Sequence, residues 1–198
     1  MEAAATPAPA PRRSVLVWIL GVFTLTAILE LAMGRTFFGP DGRFGLWEGD
    51  IWSAGNSQRF ADPYSFSHIG HGLLFFALLW GVARKLDLRY RLLIATVLEG
   101  AWEILENSPI IINRYRQATI AVGYAGDSVF NSLSDILMMS LGFFLASKVR
   151  PWQSVAILAA MELGCLFAVR DNLTLNVLML IYPIHAIKVW QLAGRRPG

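Results

Sequence analysis

Six blocks of predominantly apolar residues, at about 14–33, 66–84, 91–107, 127–148, 152–169 and 173–191, constrain this chain most. Each is near the length at which a helix rising about 1.5 Å per residue crosses a hydrocarbon layer about 30 Å thick. Of the 198 residues, 55% are hydrophobic and 16% charged, against about 25% charged in an ordinary soluble domain. Too little polar surface remains to cover a water-facing globule. The pattern predicts an all-α fold, a polytopic membrane helix bundle of about six transmembrane helices.

The blocks form one domain, residues 14–192, with a polar outer loop over 34–65. Residues 1–13 are small, Pro-rich and end in two arginines, the composition of a disordered tail; residues 193–198 form a second short tail. The first block has the basic flank of a signal peptide but a longer apolar core, so it reads as an uncleaved span. Gly39-Pro40-Asp41-Gly42 marks a turn in the outer loop. Phe37, Phe38, Phe44, Trp47 and Trp52 of that loop suit the headgroup level. Cys165, the only cysteine, excludes an intrachain disulfide.

With the loops assigned alternately, eleven Lys/Arg fall on the N-terminal side and six on the other. That asymmetry predicts a bacterial inner-membrane protein with both termini cytoplasmic. The net charge of +3 carries no nucleic-acid signal, because the basic residues flank apolar segments. Membrane lipids are the expected surroundings.

Polar residues inside the blocks are the most informative feature. The second block opens Ser67-His68-Ile69-Gly70-His71, two imidazoles on one helical face. The third carries Glu99, Glu103 and Glu106 on one stripe, and the fourth carries Asp127, Asn131, Ser134 and Asp135 at helical spacing. Asp171, Asn172 and Asn176 open the sixth. Alternating helix directions predict matched rows: His68 with Glu106 and Asp127 outermost, then His71 with Glu103 and Asn131, then Glu99 with Asp135. Together they predict an outward-opening polar pocket between spans two, three and four. An ionised carboxylate at mid-bilayer costs at least about 2.5–3.5 kcal/mol, so such groups face partners or water.

Glu30 and Glu162, isolated on their own helices, read as structural, and His185 as a lone interfacial histidine. Neither a His-Glu-x-x-His nor a Glu-x-x-His pair occurs, so no metal and no cofactor is expected. Arg114 and Arg116, with Arg170 nearby, either neutralise the acidic stripes or clamp an anion through paired hydrogen bonds.

These residues carry a resemblance. Asn56-Ser57-Gln58, Ser65 through Gly72, Glu99 through Pro109, Asn113 through Arg116, Gly126 through Asp135 and Arg170 through Asn176 resemble the UPF0314 (DUF2585) family over about residues 45–192. The resemblance implies a multi-pass bacterial inner-membrane protein and carries no activity over. His71, Glu103, Arg114, Arg116, Asp127 and Asn131 also follow the order of VanZ-like proteins, with His68 where those have an aspartate.

The leading expectation is a pocket that binds an anionic lipid or lipid-linked envelope precursor. Arg114 and Arg116 hold the head group in this reading. His68, His71, Glu103 and Asp127 supply acid–base chemistry, and Glu99, Glu106, Asn131, Asp135, Arg170 and Asn176 complete the ligand shell. No catalytic motif is recognised; an enzyme of this kind would be a hydrolase or transferase on a lipid-linked substrate. The alternatives are a proton or ion pathway through Glu99, Glu103 and Asp135, and a structural membrane subunit.

Overall fold

The computed structural model describes residues 12–195, so the tail expected over 1–13 lies almost wholly outside the described residues, as does much of 193–198. Among the described residues all regular structure is helical, apart from one isolated bridge between Trp47 and Ala61. α1 (Arg12–Ala32), α2 (Ser65–Ala83), α3 (Leu88–Glu106), α5 (Val129–Ala146) and α6 (Pro151–Val169) are long; α4 (Pro109–Ala118), α7 (Leu173–Ile181) and α8 (His185–Leu192) are short. By length and composition α1, α2, α5 and α6 suffice to cross a membrane. α3 has 19 residues but carries the carboxylate stripe, so only burial among its neighbours lets it lie alongside them.

Glycine sets the closest approach in the bundle. A Cβ on Gly72 of α2 would lie 2.0 Å from the Met139 carbonyl oxygen, and one on Gly142 of α5 would lie 2.0 Å from the Ile69 carbonyl oxygen. The two backbones touch, which small residues alone permit. α1 runs beside α3, with Gly100 against Thr26 and Val22. Below the Gly72–Gly142 crossing, Leu79, Ala95, Met139 and Phe143 form an apolar core joined by Phe75, Phe76 and Leu92.

Residues 34–64 fold over the start of α5: Thr36, Phe37 and Ser57 carbonyls accept from Val129, Phe130 and Ser128 N–H groups. Those are the donors a helix start leaves unpaired. Phe37, Phe38, Phe44 and Phe60 gather around Phe130, so most of the loop aromatics pack on one another.

Residues 107–126, between the third and fourth blocks, contain α4, opened by Pro109 at its first turn and by Ser108, whose hydroxyl accepts from Ile111 N–H at 3.4 Å. The sixth expected span, 173–191, is not one continuous helix. Pro183 disfavours helical geometry at Tyr182, whose ψ is 90°, and the segment breaks into pieces of nine and eight residues. Each is about 12–14 Å long.

The pieces double back. Gln191 Nε2 donates to the Arg170 carbonyl at 2.9 Å and to Asp171 Oδ1 at 3.0 Å, and the Arg195 guanidinium sits 5.4 Å from the Trp52 ring centroid. The described chain therefore ends at the face bearing the 34–64 loop, whereas α1 begins at the opposite face. With Lys188 and Arg195 on the loop face, the described basic residues divide eight to eight. The charge asymmetry behind the predicted orientation disappears.

Candidate functional site

α2, α3 and α5 each place their polar stripe toward the loop-face half of the bundle. His68 Nδ1 lies 2.6 Å from Glu99 Oε1, and His71 Nδ1 lies 3.0 and 3.1 Å from the two oxygens of the same carboxylate. His68 also reaches Glu103 Oε1 at 3.4 Å and, through Nε2, Asp135 Oδ2 at 3.8 Å. Ser65 Oγ donates to Asp135 Oδ1 at 3.4 Å. Nearer the loop, oxygens of Glu103, Glu106 and Asp127 lie within 4.8 Å of one another. The stripes meet, but the α2 histidines lie one to two turns deeper against α3 than the predicted rows put them, so Glu99 serves both. The fixed height of the Gly72–Gly142 contact sets where the α2 histidines fall.

Asp127 precedes α5 instead of lying in it. Its backbone N–H donates to Asn107 Oδ1 at 2.7 Å, and Gly126 beside it takes a left-handed φ of 90° that admits the Arg35 side chain. Asn107 Nδ2 lies 3.3 Å from Glu30 Oε1 and 3.5 Å from Asp127 Oδ2, which joins Glu30 to the chamber's edge. Asn131 Nδ2 donates to the Arg59 carbonyl at 2.9 Å and braces the loop. Glu162 accepts from the Leu173 and Thr174 N–H groups at 2.9 and 3.0 Å and caps α7.

A cavity of about 70 Å³, lined by His68, His71, Glu106, Asp127, Asn131, Asp135 and Asn176 among others, occupies the centre. It has room for a few waters or a coordinated ion. A larger recess of about 370 Å³ lies against the loop and shares Asn56, Tyr64, Ala121 and Tyr124 with it. Tyr64, Tyr115 and Tyr124 stand around the inner cavity, and burial pushes all three phenols well up, so they remain protonated. Tyr64 OH donates to Asp171 Oδ2 at 3.2 Å and Tyr115 OH to Asn176 Oδ1 at 3.1 Å. Burial also raises the carboxyls outside the long helices: Asp62 upward, Asp127 to about 7 and Asp171 to about 6.

The arginines expected at the mouth point elsewhere. Arg114 Nε donates to the Leu180 carbonyl at 2.7 Å, Arg116 Nε to the Tyr124 carbonyl at 2.5 Å, and Arg170 Nη1 to the Trp190 carbonyl at 3.0 Å. None of the three lines the central cavity. They fasten α7, the 119–125 turn and α8 in place through carbonyls that helix ends leave free. His185 is exposed at the start of α8.

Sequence periodicity had no means of finding Asp62, Tyr64, Tyr115 and Tyr124. All four come from loops or a short cap helix, where no 3.6-residue repeat marks a buried face. Only Ser-Pro at 108–109 signalled the helix that carries Tyr115.

The family model "Protein of unknown function (DUF2585)" matches residues 30–193. The UPF0314 protein of Sphingopyxis alaskensis is 49% identical over 179 residues, covering 89% of this chain and 95% of that one. The UPF0314 protein of Paracoccus denitrificans is 49% identical over 183 residues, covering 92% and 95%, and that of Sinorhizobium fredii 47% over 183, covering 91% and 93%. No solved structure matches the chain. The chain belongs to the UPF0314 (DUF2585) family.

Proposed function

We propose that this family member is a membrane-embedded protein that binds a divalent transition-metal cation in a one-sided chamber, through His68, His71 and Glu99. The carrying observation is the convergence of two imidazole Nδ1 atoms on one buried carboxylate, with ligand atoms of the three within 4.8 Å of one another. Imidazole with carboxylate suits zinc, iron or manganese. Glu103 lies 3.4 Å from the same His68 nitrogen and can join the shell, whereas Asp135 faces the other ring nitrogen at 3.8 Å and can orient the imidazole. A cation held there supplies an activated water.

The acidic, arginine-free lining supports a cation over an anionic lipid head group. Across-membrane conduction is disfavoured, because Leu79, Met139 and Phe143 close the far side beneath Glu99 and Asp135. A pocket closed on the far side suits binding or catalysis.

Elemental analysis of the full chain purified without chelator tests this reading. Near-stoichiometric zinc, iron or manganese is expected, lost in His71→Ala and in Glu99→Gln. A metal-free protein whose melting temperature does not rise when any of the three ions is added refutes it, because an ion that binds only the folded chain must stabilise it.

A further inference from the structure

Glu103 stands out among the buried carboxylates. It is fully buried, and among the described residues neither of its oxygens has a hydrogen bond. His68 Nδ1 lies 3.4 Å from Glu103 Oε1 but closer, at 2.6 Å, to Glu99. An ionised Glu103 leaves a buried charge uncompensated, and a protonated one leaves a buried O–H without an acceptor; interiors rarely keep either.

Its position resolves this. Glu103 belongs to two groups of converging ligand atoms at once: with His68 and Asp135 on one side, and with Glu106 and Asp127 on the other. In each group the ligand atoms lie within 4.8 Å of one another, a spacing that a single ion spans. A carboxylate common to both groups can serve as a bridge between two ions.

We propose that the chamber holds a second divalent cation, bound by Glu103, Glu106 and Asp127, with Glu103 shared between it and the histidine-bound ion. This rests on the reading above and goes beyond it by making the centre dinuclear. The two positions differ in chemistry. The inner one offers nitrogen and oxygen ligands and favours zinc, whereas the outer one offers oxygen alone and favours the harder manganese or magnesium ion. Asp127 is anchored through its backbone to Asn107, so the outer ligands are held before a cation arrives. Paired ions sharing a carboxylate are suited to clamping both oxygens of an in-line displacement.

Equilibrium dialysis of the chelator-stripped full chain against Mn2+ alone measures the stoichiometry, and paramagnetic resonance of the loaded protein reports coupling between ions. Two equivalents with a coupled signal are expected in the unaltered chain. Glu106→Gln and Asp127→Asn should each keep one equivalent, His71→Ala should keep the other, and Glu103→Gln should abolish the coupled signal. A single equivalent that Glu106→Gln leaves unchanged overturns the second site while the histidine site stands. No bound ion in the unaltered chain overturns both. Two equivalents whose coupling survives Glu103→Gln overturn the bridge. The stoichiometry of the unaltered chain decides the main point even where a variant fails to fold.

Discussion

α2, α3 and α5 build two halves of opposite character from the same three helices. On the far side of the Gly72–Gly142 crossing, Leu79, Ala95, Met139 and Phe143 pack without a polar atom among their side chains. On the loop side, Glu99, Glu103, Asp135 and His68 are just as buried, and α4, α7 and the 34–64 loop close over them. Apolar packing needs no partner of defined geometry, so the far half stands on the long helices alone. Buried carboxylates must be met by specific donors or ions, so the loop half recruits short elements fastened by Tyr64–Asp171, Arg114–Leu180 and Gln191–Asp171 hydrogen bonds. One half provides rigidity, and the other keeps groups whose needs are only partly met within the chain.

The largest test of that division is topological. If α7 and α8 belong to the loop half, cysteines introduced at Arg195 and at Gly42 label from the same side of the membrane in intact cells or spheroplasts, and one at Lys85 labels from the other. Labelling of Arg195→Cys together with Lys85→Cys would place α8 in the far half and break the comparison.

Next in size is the crossing itself. Gly142→Val drives a side chain into the Ile69 backbone and should cost at least the upper part of the about 1–3 kcal/mol range for overpacking. Gly164→Val on α6, where no atom lies within 4 Å of the added Cβ, should cost far less. Thermal unfolding in detergent compares the two. Equal losses would mean that the glycine contact does not hold the halves together.

The pH dependence should come from the loop half. Asp171 is raised by burial from 3.8 to about 6, so between those values the folded chain keeps a proton that the unfolded chain has released. The stability this contributes is fully present below about pH 4 and is lost as pH rises through about 6, on the order of 3 kcal/mol. Without bound cation, Asp127, held at about 7, adds to the same trend. Melting temperatures of the chelator-stripped chain from pH 4 to 8 should therefore fall, and less steeply in Asp171→Asn. An unchanged slope in that variant would assign the trend elsewhere.

The smallest effect belongs to the rim. Arg59 pairs with Asp41 at 2.5 Å, and that hydrogen bond holds the exposed Asp41 carboxyl down at about 2. Arg59→Ala should lower the melting temperature only slightly, and high salt should erase the difference. A large, salt-insensitive loss would make the rim part of the loop half's framework.

Helical class, four of the five long helices to within about two residues, and the three polar stripes were legible because each is a local property: apolar length and a 3.6-residue repeat. The break at Tyr182-Pro183 and the start of α4 at Ser108-Pro109 were also written locally, but hydropathy averaged over a span hides a single proline. The composition that marks a membrane bundle and the spacing that puts Glu99, Glu103 and Glu106 on one face are set by sequence alone. Only the tertiary structure decided which rows meet, that Glu99 serves both histidines, that Arg114 and Arg116 turn to carbonyls, and that the chain returns to the loop face. The first two depend on how far one helix slides against another, and the last two on where α4, α7 and α8 pack. A backbone contact at two glycines sets that register, and no periodicity within a single helix encodes it.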